Sequence, residues 1–259
     1  MQAQIHAPRT GYAYNLLDNS DFRNPVNQRG QTSYTAAGYT IDRWAVTSGL
    51  TVGGAGVTSP GGNYLYQMIT QAAIPAGTYT GAMGLADGTV ICGSAIYTAS
   101  DDACMIITNE DLSMYLLRQG TVVQLAINTI TEKTIVWAAL YESEYTADTL
   151  PPYQPKGYAV ELAECQRYFE YVNNFYFNAQ PNSNFNVFIP YKANKRISDP
   201  IATVYDQQGN TGKVSEYEDG AWKPVNVTVY SYVNGFRVSG TASTGYATIS
   251  LKAASSADL

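Results

Sequence analysis

Apolar and polar positions alternate over short stretches along most of the chain, and hardly any segment carries the wider spacing of a helix. In residues 121–128 the positions Val123, Leu125 and Ile127 are uniformly apolar, the period-two mark of a strand with one buried face. Residues 88–97, 104–108, 113–117 and 134–141 read the same way. Residues 39–46 predict a further strand with Ile41 and Trp44 near the core, and the glycine-rich residues 49–62 predict a hairpin with a loose tip. Short strands recurring between turns indicate a sandwich or jelly roll. A propeller or parallel β-helix is disfavoured, because no segment repeats at a fixed period.

The pattern changes at residues 150–157, LPPYQPKG, whose prolines cannot continue a ladder and so mark a domain boundary. Immediately beyond it, Leu162, Cys165, Phe169 and Val172 share one face at helical spacing, while Glu161, Glu164, Arg167 and Glu170 share the other. Here the chain predicts its one helix. Strand patterning then returns with two hairpin signals, Asp219-Gly220 and Asn234-Gly235, both suited to turns that need positive φ. Residues 246–252, YATISLK, predict a closing strand, and the small polar AASSADL after them predicts a tail that frays. The expected fold class is all-β, with boundaries at residues 1–14 (an arm), 15–155 (a jelly-roll β-sandwich), 156–174 (linker and short α-helix) and 175–259 (a smaller antiparallel β domain).

Composition narrows the function classes. Charged residues make up 14%, and Tyr reaches 22 against 7 Phe and 3 Trp, a β-sheet composition with a neutral polar exterior. A formal net charge of −6 argues against nucleic acid, whose phosphates require Lys and Arg to displace counterions. No run of about 18 apolar residues is present to span a bilayer, and the opening MQAQIHAPRTGY lacks the build of a secretory signal. Cys92, Cys104 and Cys165 form no CxxC pair and are expected to be buried free thiols.

Three segments resemble bacteriophage tail-fibre and related prophage proteins. The first is NLLDNSDF at residues 15–22, followed by Asp42-Arg43-Trp44, which resembles the start of a galactose-binding-like jelly roll. The second is IVWAALYESEY through PPYQPKG into ELAECQRYF, which resembles the last strand of that jelly roll and the "ELxxCQRY" helix after it. The third, FIPYKANKRISDPI at residues 188–201, resembles the strand and the Arg- and Pro-containing turn that follow such a helix. The resemblance covers roughly residues 15–205 and implies a homotrimer on the outside of a virion, assembled in the host cytoplasm. Its N-terminal arm would engage other virion proteins, and its far end a host surface glycan or protein. A structural calcium near the opening strand is also implied, with Asp18 and Asp21 as its oxygen donors; turn formation explains those residues equally well.

Candidate chemistry is sparse. The only histidine, His6, lies in the arm, so catalytic triads and multi-histidine metal sites have nothing to build on. A glycosidase needs only two carboxylates, and the acidic groups are Asp101-Asp102, Glu110-Asp111, Glu142 with Glu144, and Glu216, Glu218 and Asp219. Each sits beside a predicted turn, where solvated loop carboxylates are the ordinary case, so no catalytic residue and no enzyme is expected. Recognition by aromatics remains: Tyr217, Trp222, Tyr230, Tyr232 and Phe236 gather around the C-terminal hairpins, as a receptor-binding group or as core and subunit interface. Leu162, Cys165, Tyr168 and Phe169 are the expected domain or oligomer joint. The leading expectation is an attachment protein of a phage particle, ahead of a decoration protein with a mechanical role and of a polysaccharide depolymerase.

Overall fold

The computed structural model of the chain describes residues 13–98, 102–243 and 247–257. Strand accounts for 54% of the chain and helix for 5%, so sheets must build every core. The chain divides into two compact units, Met1–Tyr158 and Ala159–Leu259. The arm up to residue 12, His6 included, lies outside the described residues, as does Asp101.

In the first unit the strands run β1 (Ser33–Tyr34), β2 (Gly38–Tyr39), β3 (Ala45–Val46), β4 (Leu50–Gly53), β5 (Gly56–Ser59), β6 (Asn63–Thr70), β7 (Gly77–Leu85), β8 (Val90–Tyr97), β9 (Ala103–Thr108), β10 (Leu112–Gln119), β11 (Val122–Thr129) and β12 (Lys133–Glu142). They form two six-stranded antiparallel sheets, ordered β1-β4-β5-β12-β7-β8 and β2-β3-β6-β11-β10-β9. The chain crosses between sheets at β1 to β2, β3 to β4, β5 to β6, β6 to β7, β8 to β9 and β11 to β12, which gives a jelly-roll-like sandwich. Val123, Leu125 and Ile127 point into one core with Leu17, Phe22, Trp44, Leu65 and Met83, all fully buried.

Residues 39–46 are two short strands with a turn between them. The turn contains Arg43 at φ 71°, and the side chains it turns inward explain the detour. Asp42 is fully buried and accepts hydrogen bonds from Gln28 Nε2 at 2.6 Å and Arg29 Nη1 at 3.2 Å. Arg43 Nε meets Asp18 Oδ2 at 3.1 Å, Arg43 Nη2 donates to the Met68 carbonyl at 2.7 Å, and Trp44 Nε1 donates to the Asn19 carbonyl at 2.9 Å. The opening NLLDNSDF and the Asp-Arg-Trp turn thus form one polar network against the core.

One strand, β7, left no alternation to read. In β7 (GTYTGAMGL) the small residues carry little strand propensity, yet they are required: a Cβ at Gly84 would collide with the Trp137 indole. Trp137 in turn stacks on Tyr153 at 4.7 Å with the rings 10° apart. The proline-rich residues 150–157 are therefore no free spacer. Tyr153 Oη lies 3.2 Å from Ser20 Oγ, and Lys156 Nζ lies 3.4 Å from Asp18 Oδ1, so this strap is fastened to the sandwich along its length.

In the second unit, α1 (Tyr158–Gln166) is followed by β13 (Phe169–Ala179), β14 (Asn184–Pro190), β15 (Ile201–Tyr205), β16 (Lys213–Glu218), β17 (Ala221–Asn226), β18 (Thr228–Tyr232), β19 (Gly235–Thr241) and β20 (Ala247–Ser256). A five-stranded sheet orders β13-β20-β16-β17 with β15 also on β20, and a three-stranded sheet orders β14-β19-β18. Val214, Phe236, Val238, Ile249 and Leu251 are fully buried in the core that the two sheets share.

Three expectations are corrected here. The helix stops at Gln166, because Phe169 and Val172 belong to β13; of the charged residues given one face, Glu161 and Glu170 are buried and Arg167 is exposed. Glu170 instead receives the Lys192 backbone N–H and the buried Lys195 ammonium. The Asn234-Gly235 hairpin exists, but its turn residues are Val233 and Asn234, since Tyr232 pairs with Gly235. Neither turn residue adopts a positive φ, and the turn carbonyls accept the Tyr191 and Lys195 N–H groups. Finally, Ala253–Ser256 of the supposed tail completes β20, paired with β13 on one side and β15 on the other.

Candidate functional site

Alternation in the second unit turns one set of aromatics inward and another outward. On the outer face of the larger sheet, Asn178, Thr248, Tyr217 and Trp222 lie in one row across β13, β20, β16 and β17, and Tyr176, Ser250, Ser215 and Pro224 in the next. The Tyr217 and Trp222 rings are 5.1 Å apart, and Tyr176 stands 6.4 Å from Trp222. Tyr176 is 51% exposed and Tyr217 44%, while Ser215 and Ser250 are fully buried between them. Short hydroxyl side chains at the centre leave room for large rings around them.

Polar groups border this aromatic platform. Gln207 donates its backbone N–H to Ser215 Oγ at 2.8 Å, and its Nε2 lies 3.4 Å from Ser250 Oγ. Thr248 Oγ1 lies 3.3 Å from Asn178 Oδ1. The Asp219-Gly220 turn, at φ 52° and 80°, closes the β16–β17 hairpin in the mirror-image turn that its sequence predicts, and so sets Tyr217 opposite Trp222. Flat rings of this kind stack on the apolar face of a pyranose, and nearby hydroxyl and amide groups can hydrogen-bond its edges.

The smaller sheet presents a second outer face. Phe188, Arg237 and Tyr230 form one row across β14, β19 and β18, with Pro190, Gly235 and Tyr232 in the next. The Arg237 guanidinium lies over the Tyr230 ring at 4.4 Å, and Phe188 and Tyr232 are 6.2 Å apart. Gly235 has no side chain because the Phe188 ring occupies that space, 2.5 Å from where a Cβ would stand.

The structure therefore splits the five aromatics of the sequence reading. Tyr217 and Trp222 belong to one face, Tyr230 and Tyr232 to the other, and Phe236 is fully buried against Tyr191. In FRVSG the apolar Phe236 and Val238 flank Arg237, a period-two signal that places the arginine, not the phenylalanine, outside. Tyr176 and Phe188 lie outside the two C-terminal hairpins around which the candidate aromatics gather, and Arg237 is not aromatic.

The remaining candidates have structural partners. Asp18 faces Arg43 and Lys156, and Asp21 pairs with Arg23 at 2.9 Å. Three side-chain cations thus balance the charge of these two carboxylates. Among the described residues no group of three or more His, Cys, Asp or Glu side chains could hold a metal. Strand β12 ends at Glu142, so Glu144 does not continue its face. Glu216 is buried and accepts the Ser243 N–H at 2.9 Å, and Glu218 pairs with Lys223 at 2.7 Å.

The joint residues are built into the second unit. Cys165 is fully buried, Phe169 nearly so, and Leu162 and Tyr168 are half-buried. The Tyr168 carbonyl accepts the Ala257 N–H at 2.6 Å, and Arg196 lies over the Tyr168 ring at 5.5 Å. All three cysteines are free thiols, Cys104 and Cys165 buried and Cys92 half-buried.

No helix among the described residues is long and apolar enough to cross a membrane. Comparison with protein-family models and with curated proteins yields no match.

Proposed function

We propose that the chain is a non-enzymatic attachment protein of a bacteriophage particle, a tail-fibre or receptor-binding protein that holds a host surface glycan. One observation carries the reading: the exposed Tyr176 and Tyr217 and the half-buried Trp222 form an aromatic platform bordered by the Thr248 hydroxyl and the Asn178 and Gln207 amides. Aromatic rings left open to water beside fixed hydroxyl and amide groups are the chemistry that a sugar ring requires. The tail-fibre resemblance of the NLLDNSDF, Asp-Arg-Trp and ELAECQRYF segments supports the virion assignment. Assembly as a homotrimer, with the N-terminal arm on other virion proteins, belongs to the same reading.

The test is retention of the full chain on an array of immobilised bacterial surface polysaccharides. Binding to at least one polysaccharide is expected without release of reducing ends. Trp222→Ala and Tyr176→Ala should each weaken it at least about tenfold with an unchanged melting temperature. No retention, or variants that bind like the parent, overturns the glycan reading. Release of reducing ends overturns the non-enzymatic one. Sedimentation as a monomer at micromolar concentration overturns the trimer.

A further inference from the structure

We infer that the outer face of the smaller sheet is a subsite for a sugar bearing an oxyanion, a carboxylate or a phosphate, with Arg237 recognising the charge. The inference rests on the glycan-recognition reading and names the chemical class of ligand that the second unit takes.

Among the described residues Arg237 is a cation without a counter-ion. The chain carries a net charge of −6. Yet among the described residues the Arg237 guanidinium has no carboxylate and no hydrogen-bond acceptor, and its Nε is buried without one. Reading the registers of β14, β19 and β18 row by row, no position on this outer face is Asp or Glu, and Arg237 is its one charged residue. A buried donor left unsatisfied is a cost to the fold. A group that serves only to fill space on this face would not need a charge.

The geometry holds the guanidinium ready. Its neighbours Phe236 and Val238 are fully buried, which fixes the backbone from which Arg237 projects. The Tyr230 ring supports it from its cross-strand position at 4.4 Å. Stacking on an aromatic restrains the plane of the fork and leaves its terminal N–H groups to pair with two oxygens of one anion. Phe188 and Tyr232, 45% and 40% exposed, stand beside it as surfaces for the ring of the same sugar.

This face and the Tyr176–Trp222–Tyr217 platform belong to sheets whose inner sides share one core, so the two surfaces look in opposite directions. A ligand on one cannot touch the other. The proposed subsite is therefore separate from the platform, and the two can be tested apart.

The experiment titrates the full chain, by NMR at matched ionic strength, with glucuronate, glucose 6-phosphate and glucose. At least one anionic sugar should bind about tenfold more tightly than glucose, the preference of the two identifying the oxyanion. Arg237→Gln should remove that advantage, and Arg237→Lys should keep part of it. If Arg237→Gln lowers the melting temperature, Arg237→Lys and the salt dependence of binding carry the test, since an ion pair weakens as salt rises. Anionic sugars binding no better than glucose overturn the inference, as does Arg237→Gln binding them like the parent. If the platform retains a neutral glycan while either of these results holds, only this inference falls. If no saccharide binds to either face, the glycan reading falls first.

Discussion

Lys195 places its ammonium 3.4 Å from Glu170 Oε2, with both side chains almost wholly removed from water. The pair is satisfied on all sides. Lys195 also donates to the Gln166 carbonyl at 2.6 Å and faces the Tyr191 ring at 4.5 Å, while Glu170 accepts the Lys192 N–H at 3.1 Å. It ties the end of α1, the start of β13 and the loop after β14 to one point. Breaking such a pair strands a buried charge, so Lys195→Met or Glu170→Gln should each destabilise the second unit by about 3–5 kcal/mol. The double variant Lys195→Met/Glu170→Gln should recover much of that loss in chemical denaturation, and a strictly additive double variant contradicts the account.

Arg43 offers a backbone test. Its φ of 71° lies in the left-handed region, which costs a residue with a Cβ about 1–2 kcal/mol. Removing the side chain also removes its bonds to Asp18 and to the Met68 carbonyl. Both Arg43→Ala and Arg43→Gly should destabilise the sandwich, with glycine the milder by about 1 kcal/mol. Alanine equal to or milder than glycine in urea unfolding would contradict the turn geometry.

The strap over the sandwich depends on a glycine far from it in sequence. Because a Cβ at Gly84 would displace the Trp137 indole, Gly84→Ala should loosen the Trp137–Tyr153 stack. Limited proteolysis should then cut residues 144–157 faster, and Tyr153→Ala should reproduce that effect. Unchanged cleavage in both variants would show that the stack does not hold the strap.

Alkali should weaken the fold through its tyrosines. Burial raises the phenols of Tyr79 and Tyr141 from 10.0 to about 12, with the nearby acids Glu142 and Tyr97 adding to Tyr79 and Tyr145 adding to Tyr141. Burial, with the Tyr64 hydrogen bond, raises Tyr115 as well. The folded state thus favours the protonated phenol. Its contribution to stability is complete below pH 10.0 and is lost as pH climbs through about 12. Phenolate absorbance should rise in two phases, the later one together with loss of near-ultraviolet circular dichroism. A single phase centred on the ordinary tyrosine value would contradict this.

Much of the sandwich is legible in the sequence, since a strand buried on one face must alternate. Val123, Leu125 and Ile127 needed no other information. What escaped was decided at a distance. The glycines and alanines of β7 make sense only beside Trp137 and Met114, which approach them from other strands. Residues 169–172 kept a helical spacing by coincidence, and pairing with 253–256 overrode it. The candidate site was half legible. Hairpin chemistry located Tyr217 and Trp222, but neither Tyr176 nor the isolation of Arg237 follows from local pattern, because cross-strand neighbours far along the chain create both.

Strand β20 also sets the order in which the second unit can form. It lies between β13 on one side and β15 and β16 on the other, so β13 and β15 have no partner until residues 247–256 arrive. The β16–β17 and β18–β19 hairpins can form early from local contacts, but the larger sheet must wait for a long loop to close. Until then the side chains of β13, the aromatic Phe175 and Phe177 among them, lack the strand against which they are buried. The waiting chain is a partly formed sheet with an open, apolar edge, the state in which identical copies exchange strands or aggregate.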